Sequence, residues 1–123
     1  MYRKLLLISL FLLMPDILLA TVIGTVSNTS GEVLFRGGDN QKYGQIRQKQ
    51  PLEEGNWVKT GKKGWLEINL VDGSRFTVAN NSELELTSFL VSKEKKEGSF
   101  TLTQGKIRAS VVKLAGQQTD IKI

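Results

Sequence analysis

The chain has 123 residues, with 17 Lys and Arg against 12 Asp and Glu, and it contains neither Cys nor His. Without those two residue types, the commonest zinc, copper and thiol chemistries have no ligands, the commonest general base is missing, and neither a disulfide nor a lipid-modified cysteine can hold or anchor the fold. The net charge of +5 is modest, with acids interspersed throughout; it suits ordinary solubility and also an acidic partner or an anionic surface.

Residues 1–20 read MYRKLLLISLFLLMPDILLA. Arg3 and Lys4 form a basic start, Leu5 to Met14 an apolar run, and Pro15 and Asp16 interrupt it before the small residue Ala20. That order predicts a secretory signal helix removed on export. The apolar run falls short of the ~20 residues a comfortable membrane span needs. Residues 21–123 are then expected to form one small β domain in the periplasm or outside the cell. An uncleaved N-terminal anchor is the alternative, and only in that case does the chain touch the membrane, through this segment.

Beyond Ala20 the hydrophobic period is two. Leu66, Ile68 and Leu70 alternate with polar residues, as do Phe76 and Val78, Leu84 and Leu86, Phe100 and Leu102, and Ile107, Ala109 and Val111. Each set puts one face on a core and one in water. Turn chemistry punctuates them. Gly37-Gly38-Asp39-Asn40 separates Glu32–Arg36 from Tyr43–Gln48, Pro51 to Asn56 reads as a longer loop, and Gly61-Lys62-Lys63-Gly64 joins Trp57–Thr60 to Trp65–Val71. Asp72-Gly73 is the sharpest hairpin cue, with φ > 0 expected at both turn positions. Asn80-Asn81 offers a second turn, and Lys93–Glu97 (KEKKE) reads as a charged loop tip. No helical stripe and no repeat of fixed period is visible. The prediction is an all-β fold of short antiparallel strands, arranged as a sandwich, a roll or a short β-solenoid.

The motifs that could carry chemistry are weak. Ser110-Val111-Val112-Lys113 matches an S-x-x-K pattern, but that chemistry needs a helix, whereas on a strand residues three apart face opposite ways. Gly61-Lys62 lacks the preceding Gly and following Ser or Thr of a phosphate loop. Glu53-Glu54 reads as a solvated turn, and no acids show calcium-loop spacing. Asn28-Thr29-Ser30 and Asn80-Asn81-Ser82 match the glycosylation pattern and read as turns. Trp57 and Trp65 are the candidate aromatic surface. An exposed pair would suit sugar stacking, whereas Trp in a small β domain is more often core or rim. No cofactor, no metal ion and no nucleic acid is expected.

Pro51 to Leu86 resembles the FecR domain. The matching positions are Pro51-Leu52, Gly55, Val58, Thr60-Gly61, Leu66, Ile68, Leu70, Asp72-Gly73-Ser74 and Leu84. Gly31-Glu32-Val33 resembles the family's opening strand and Gly105-Lys106-Ile107-Arg108-Ala109 its later Gly-x-x-Arg strand. Asn56 replaces the usual Asp, which serves a turn equally well. The family usually continues with a Thr-Pro strand and a Val-Arg-Gly-Thr segment about where this chain stops, so the β domain is expected to be incomplete at its C-terminus. Asp120, Ile121, Lys122 and Ile123 would then lie on an open, partner-binding edge. In sigma-regulator members the resemblance implies a periplasmic half that receives a signal from an outer-membrane transporter and a cytoplasmic half that handles a sigma factor. This chain carries no such cytoplasmic half, so no direct sigma-factor contact is expected. The expected function is a stand-alone, non-enzymatic periplasmic domain that binds a protein partner, in envelope signal sensing. The alternative is an envelope module for glycan or lipid.

Overall fold

The computed structural model describes residues 21–123, and the expected signal helix lies outside the described residues. The described chain is all strand, turn and loop. The strands are β1 (Val22–Ser30), β2 (Val33–Arg36), β3 (Gly44–Gln45), β4 (Pro51–Glu53), β5 (Trp57–Thr60), β6 (Trp65–Leu70), β7 (Arg75–Val78), β8 (Glu83–Val91), β9 (Lys95–Gln104), β10 (Ile107–Ser110) and β11 (Gln118–Lys122). They form a five-stranded sheet in the order β10-β7-β6-β1-β4 and a six-stranded sheet in the order β11-β9-β8-β5-β2-β3.

The core is built by alternation. Leu66, Ile68 and Leu70 on β6 and Phe76 and Val78 on β7 point inward from the first sheet. Val58 on β5, Leu84, Leu86 and Phe89 on β8, and Phe100 on β9 meet them from the second. Phe76 and Phe100 touch edge to face with centroids 4.4 Å apart, a favourable aromatic geometry that joins the two sheets. The ladder between β8 and β9 shifts register between Leu86 and Ser88. This bulge lets an odd-numbered residue, Phe89, follow two even-numbered ones into the core. The Phe89 N–H donates to Glu54 Oε1 at 3.0 Å, so this carboxylate, read from sequence as solvated, fastens the bulge.

Several expectations change. Pro51–Glu53 is not loop but β4, paired antiparallel with β1. Asn28–Ser30 is not a turn but the end of β1, paired with β6. The tip of the β8–β9 hairpin is the turn around Ser92–Lys95, where Ser92 N–H donates to Lys95 O, so Lys96 and Glu97 already belong to β9. At Asp72-Gly73 only the glycine has positive φ, at 90°. Gly73 N–H reaches Leu70 O and Leu70 N–H reaches Ser74 O, which makes a three-residue loop closed by a left-handed glycine. β10 is an edge strand that half-buries Ile107 and leaves Ala109 exposed. Finally, β11 pairs with β9 in parallel, so the second sheet is mixed. The cause is the route. The chain leaves β10 on the edge of one sheet, crosses the end of the molecule through residues 111–117, and enters the other sheet beside the start of β9.

Candidate functional site

The turn residues of the family motif concentrate at the two ends of the sheets. At one end, Asp72 lies in the β6–β7 turn with its side chain only 6% exposed, and the Lys96 side chain opposite it is 1% exposed. Lys96 shares the inward face of β9 with Gly98 and Phe100. Its Nζ donates to Asp72 Oδ2 and to Val112 O, tying the six-stranded sheet to the β6–β7 turn and to the crossing segment. Asp72 also accepts Ser74 N–H at 3.0 Å and Ser74 Oγ–H at 2.8 Å, while Ser74 Oγ accepts Val112 N–H at 3.0 Å. Burial by itself would raise the Asp72 pKa. The hydrogen bonds from Lys96 and Ser74 and the Lys96 charge outweigh it and hold the carboxyl below its ordinary range.

At the other end, Thr60 is buried beneath the corner that carries the chain from β7 to β8. Its Oγ1 donates to Ala79 O at 2.6 Å and accepts Ser82 N–H at 2.9 Å. Asn81 turns this corner at φ 52°. Ser82 Oγ in turn accepts Lys106 N–H at 3.0 Å. Gly105, at φ 90°, passes so close that a Cβ there would stand 2.0 Å from Ser82 Oγ. At the opposite end of β5 from Thr60, Gly55 turns from β4 to β5 at φ 86° and donates to Leu86 O at 2.7 Å. Asn56 fixes the same turn: its Oδ1 accepts Glu53 N–H and its Nδ2 donates to Gly37 O. Gly61 donates to Glu32 O.

The two tryptophans stand apart. Trp57 lies on the outer side of the six-stranded sheet and is 9% exposed, because the excursion between β2 and β3 covers it. Its Nε1 donates to Asp39 Oδ1 at 2.6 Å, and the Arg36 guanidinium lies 4.6 Å from its ring and 4.8 Å from that of Tyr43. Tyr43 donates to Glu83 at 2.7 Å. Burial first, then the hydrogen bond to and the charge of Glu83, push the Tyr43 pKa well up. Hydrogen bonds from Thr103 and Tyr43 hold Glu83 below its ordinary value. This cation–aromatic cluster was missed from sequence, since its members are spread from Arg36 to Thr103. Trp65 is 39% exposed, on the outer side of the five-stranded sheet. Across β7 from it lies a cavity of about 350 Å³ lined by Thr77, Ala79, Lys106, Ile107 and Arg108.

Asp120, Ile121 and Lys122 lie on β11, the terminal strand of the six-stranded sheet. Ile121 packs partly against the core, while Ile123 beyond the strand is 60% exposed. Gln118 N–H donates to Glu94 O at 3.0 Å. A parallel ladder uses alternate residues, so the backbone groups of Thr119 and Ile121 point away from β9, off the sheet. Thr119 Oγ1 and Gln117 Oε1 are buried without a hydrogen-bond partner.

Chemically these arrangements brace. Asp72 and Glu83 are both held charged, which suits ion pairing and not proton donation at neutral pH. Among the described residues no three of Asp and Glu stand together where a metal ion could be held. One antiparallel and one mixed β-sheet, stapled at both ends by turn side chains, define a compact all-β domain. The chain belongs to the FecR family: the family model described as FecR protein matches residues 56–123. That family is one of non-enzymatic signalling regulators, typically periplasmic or envelope-associated. No curated protein and no solved structure matches the chain significantly.

Proposed function

We propose that this FecR domain is an exported, non-enzymatic module that senses envelope signals by binding a protein partner along β11. The observation that carries the reading is the edge itself. β11 is the last strand of its sheet, and its outward backbone groups lie at Thr119 and Ile121. An added strand would satisfy such a row, with main-chain hydrogen bonds supplying affinity and side-chain contacts selecting the partner. Exposed Ile123 and the mixed charges of Asp120 and Lys122 would flank it.

The test is a photocross-linking residue at Lys122, with and without Thr119→Pro. Proline removes a donor that points off the sheet and so spares the ladder to β9. The expected result is a defined adduct in the envelope that disappears with Thr119→Pro while the melting transition is kept. An adduct of twice the chain mass would make the partner strand a second copy. Adducts unchanged by Thr119→Pro would refute strand addition. Export itself is checked by mass spectrometry of the periplasmic fraction, where a chain beginning near Thr21 is expected. A full-length product in the membrane would favour the anchor.

A further inference from the structure

The outer side of the five-stranded sheet carries an arrangement that neither the turn network nor the β11 edge uses. Leu66, Ile68 and Leu70 point inward, so Trp65, Glu67 and Asn69 point out. Leu66 pairs with Val78, and Val78 pairs with Ile107. Carried on by one residue, this register sets Trp65 opposite Ala79 and Ala79 opposite Lys106; Ala79 N–H donates to Lys106 O at 2.9 Å. One pair further in, Thr77 stands between Glu67 and Arg108. Two small side chains, Thr77 on β7 and Ala79 just beyond it, therefore form the floor of a trough. The exposed Trp65 lies beside this trough on the same face, across from Ala79, and Lys106 and Arg108 line its far side.

The charge of this trough is one-sided. Lys106 and Arg108 line the ~350 Å³ cavity, and neither belongs to an ion pair among the described residues. Glu67, the acid nearest on this face, is already engaged. It accepts Ser27 Oγ–H at 2.9 Å and lies 3.9 Å from Arg75 Nε. Two unneutralised cations converging on a concavity favour an anionic group, which Arg can clamp in a bidentate fashion. A flat, partly exposed Trp favours a ring with an apolar face and polar edges. Inorganic anions lack the ring, and neutral sugars lack the charge.

We propose that this trough binds an acidic saccharide, its ring stacked on Trp65 and its carboxylate or phosphate held by Lys106 and Arg108, with Thr77 donating or accepting at the floor. The site stands on a different sheet from β11 and is independent of the protein-partner reading. It would place the domain against charged envelope glycan while β11 stays free.

The test is calorimetric titration of the purified full chain with trigalacturonate at low salt, alongside maltotriose, inorganic phosphate and glycerol 3-phosphate. The expected result is a dissociation constant of about 1 mM or tighter for trigalacturonate, the energy of a few charge-assisted and stacking contacts. Maltotriose and the two small phosphates should bind at least roughly fivefold more weakly. Trp65→Ala and Arg108→Gln should each weaken trigalacturonate by roughly fivefold or more, and Lys106→Glu should do the same should either of those unfold the chain. Thr119→Pro should leave this affinity unchanged. Absence of trigalacturonate binding, equal binding of maltotriose, or indifference to Trp65→Ala overturns the proposal. Glycerol 3-phosphate binding as tightly as the saccharide would make this an anion or lipid-headgroup site and overturn it too.

Discussion

Replacing Lys96 with Met tests whether the family's Asp-Gly-Ser turn is held from across the molecule. The substitution keeps length and volume, so no cavity opens. It strips Asp72, whose side chain is 6% exposed, of its cationic partner, and Val112 O of a donor. Removing one member of a buried pair strands the other, at a cost of about 3 kcal/mol when the remaining carboxylate keeps Ser74 and a little water. Against total stabilities of ~5–15 kcal/mol this is a large fraction, and for roughly 100 residues it lowers Tm by about 10–20 °C. The assay is urea and thermal unfolding of the wild type, Lys96→Met, Asp72→Asn and the double variant at neutral pH. Asn at 72 still accepts Ser74 N–H but carries no charge, so the double variant should recover about 1.5 kcal/mol or more of the summed single losses. The sign with pH is fixed by the depressed Asp72 pKa. Pairing stabilises above the unfolded carboxyl value near 4 and is lost as pH falls through the lower folded value. The gap between wild type and Lys96→Met should therefore close in acid. A single variant within about 0.5 kcal/mol of wild type, or strictly additive losses, would refute the reasoning.

Gly105→Ala should destabilise by more than about 2 kcal/mol, because positive φ and a collision with Ser82 act together; Gly73→Val should cost above about 1 kcal/mol through backbone strain, since its Cβ meets only Val112 Cγ2 at 3.6 Å. Denaturant melts check both, and a neutral Gly105→Ala would count against the close approach at the corner. Thr60→Val keeps shape but leaves Ala79 O and Ser82 N–H without the hydroxyl, for an expected loss of about 1–3 kcal/mol in the same assay. Stability should also fall above pH about 10, where the unfolded tyrosine ionises while Tyr43 in the fold stays neutral. Tyr43→Phe should flatten that alkaline loss, as followed by melts across the range.

Much of the architecture is written in local pattern. Period-two runs at Leu66–Leu70, Phe76–Val78 and Leu84–Leu86 decide that these segments are strands and which face is buried, because a strand alternates its side chains whatever it pairs with. The turn chemistry of Gly55, Asp72-Gly73 and Asn81 is equally local, since it depends on which residues tolerate the left-handed region.

What the pattern left open is what depends on distant neighbours. KEKKE reads as a solvated tip, yet Lys96 is in phase with Gly98 and Phe100; only the β6–β7 turn, 24 residues upstream, supplies the carboxylate that makes its burial tolerable. Trp57 and Trp65 look alike in sequence. One is covered because Arg36, Asp39 and Tyr43 fold over it, and the other is left exposed on the outer side of the five-stranded sheet. The parallel course of β11 follows from where the chain re-enters the second sheet, which no strand pattern encodes. Composition and periodicity thus determined a β chain punctuated by turns, with no thiol or imidazole chemistry. The packing of two sheets decided which charges are stapled inside, which edge is open, and which aromatic faces solvent, because each of those depends on residues that meet only after the sheets close.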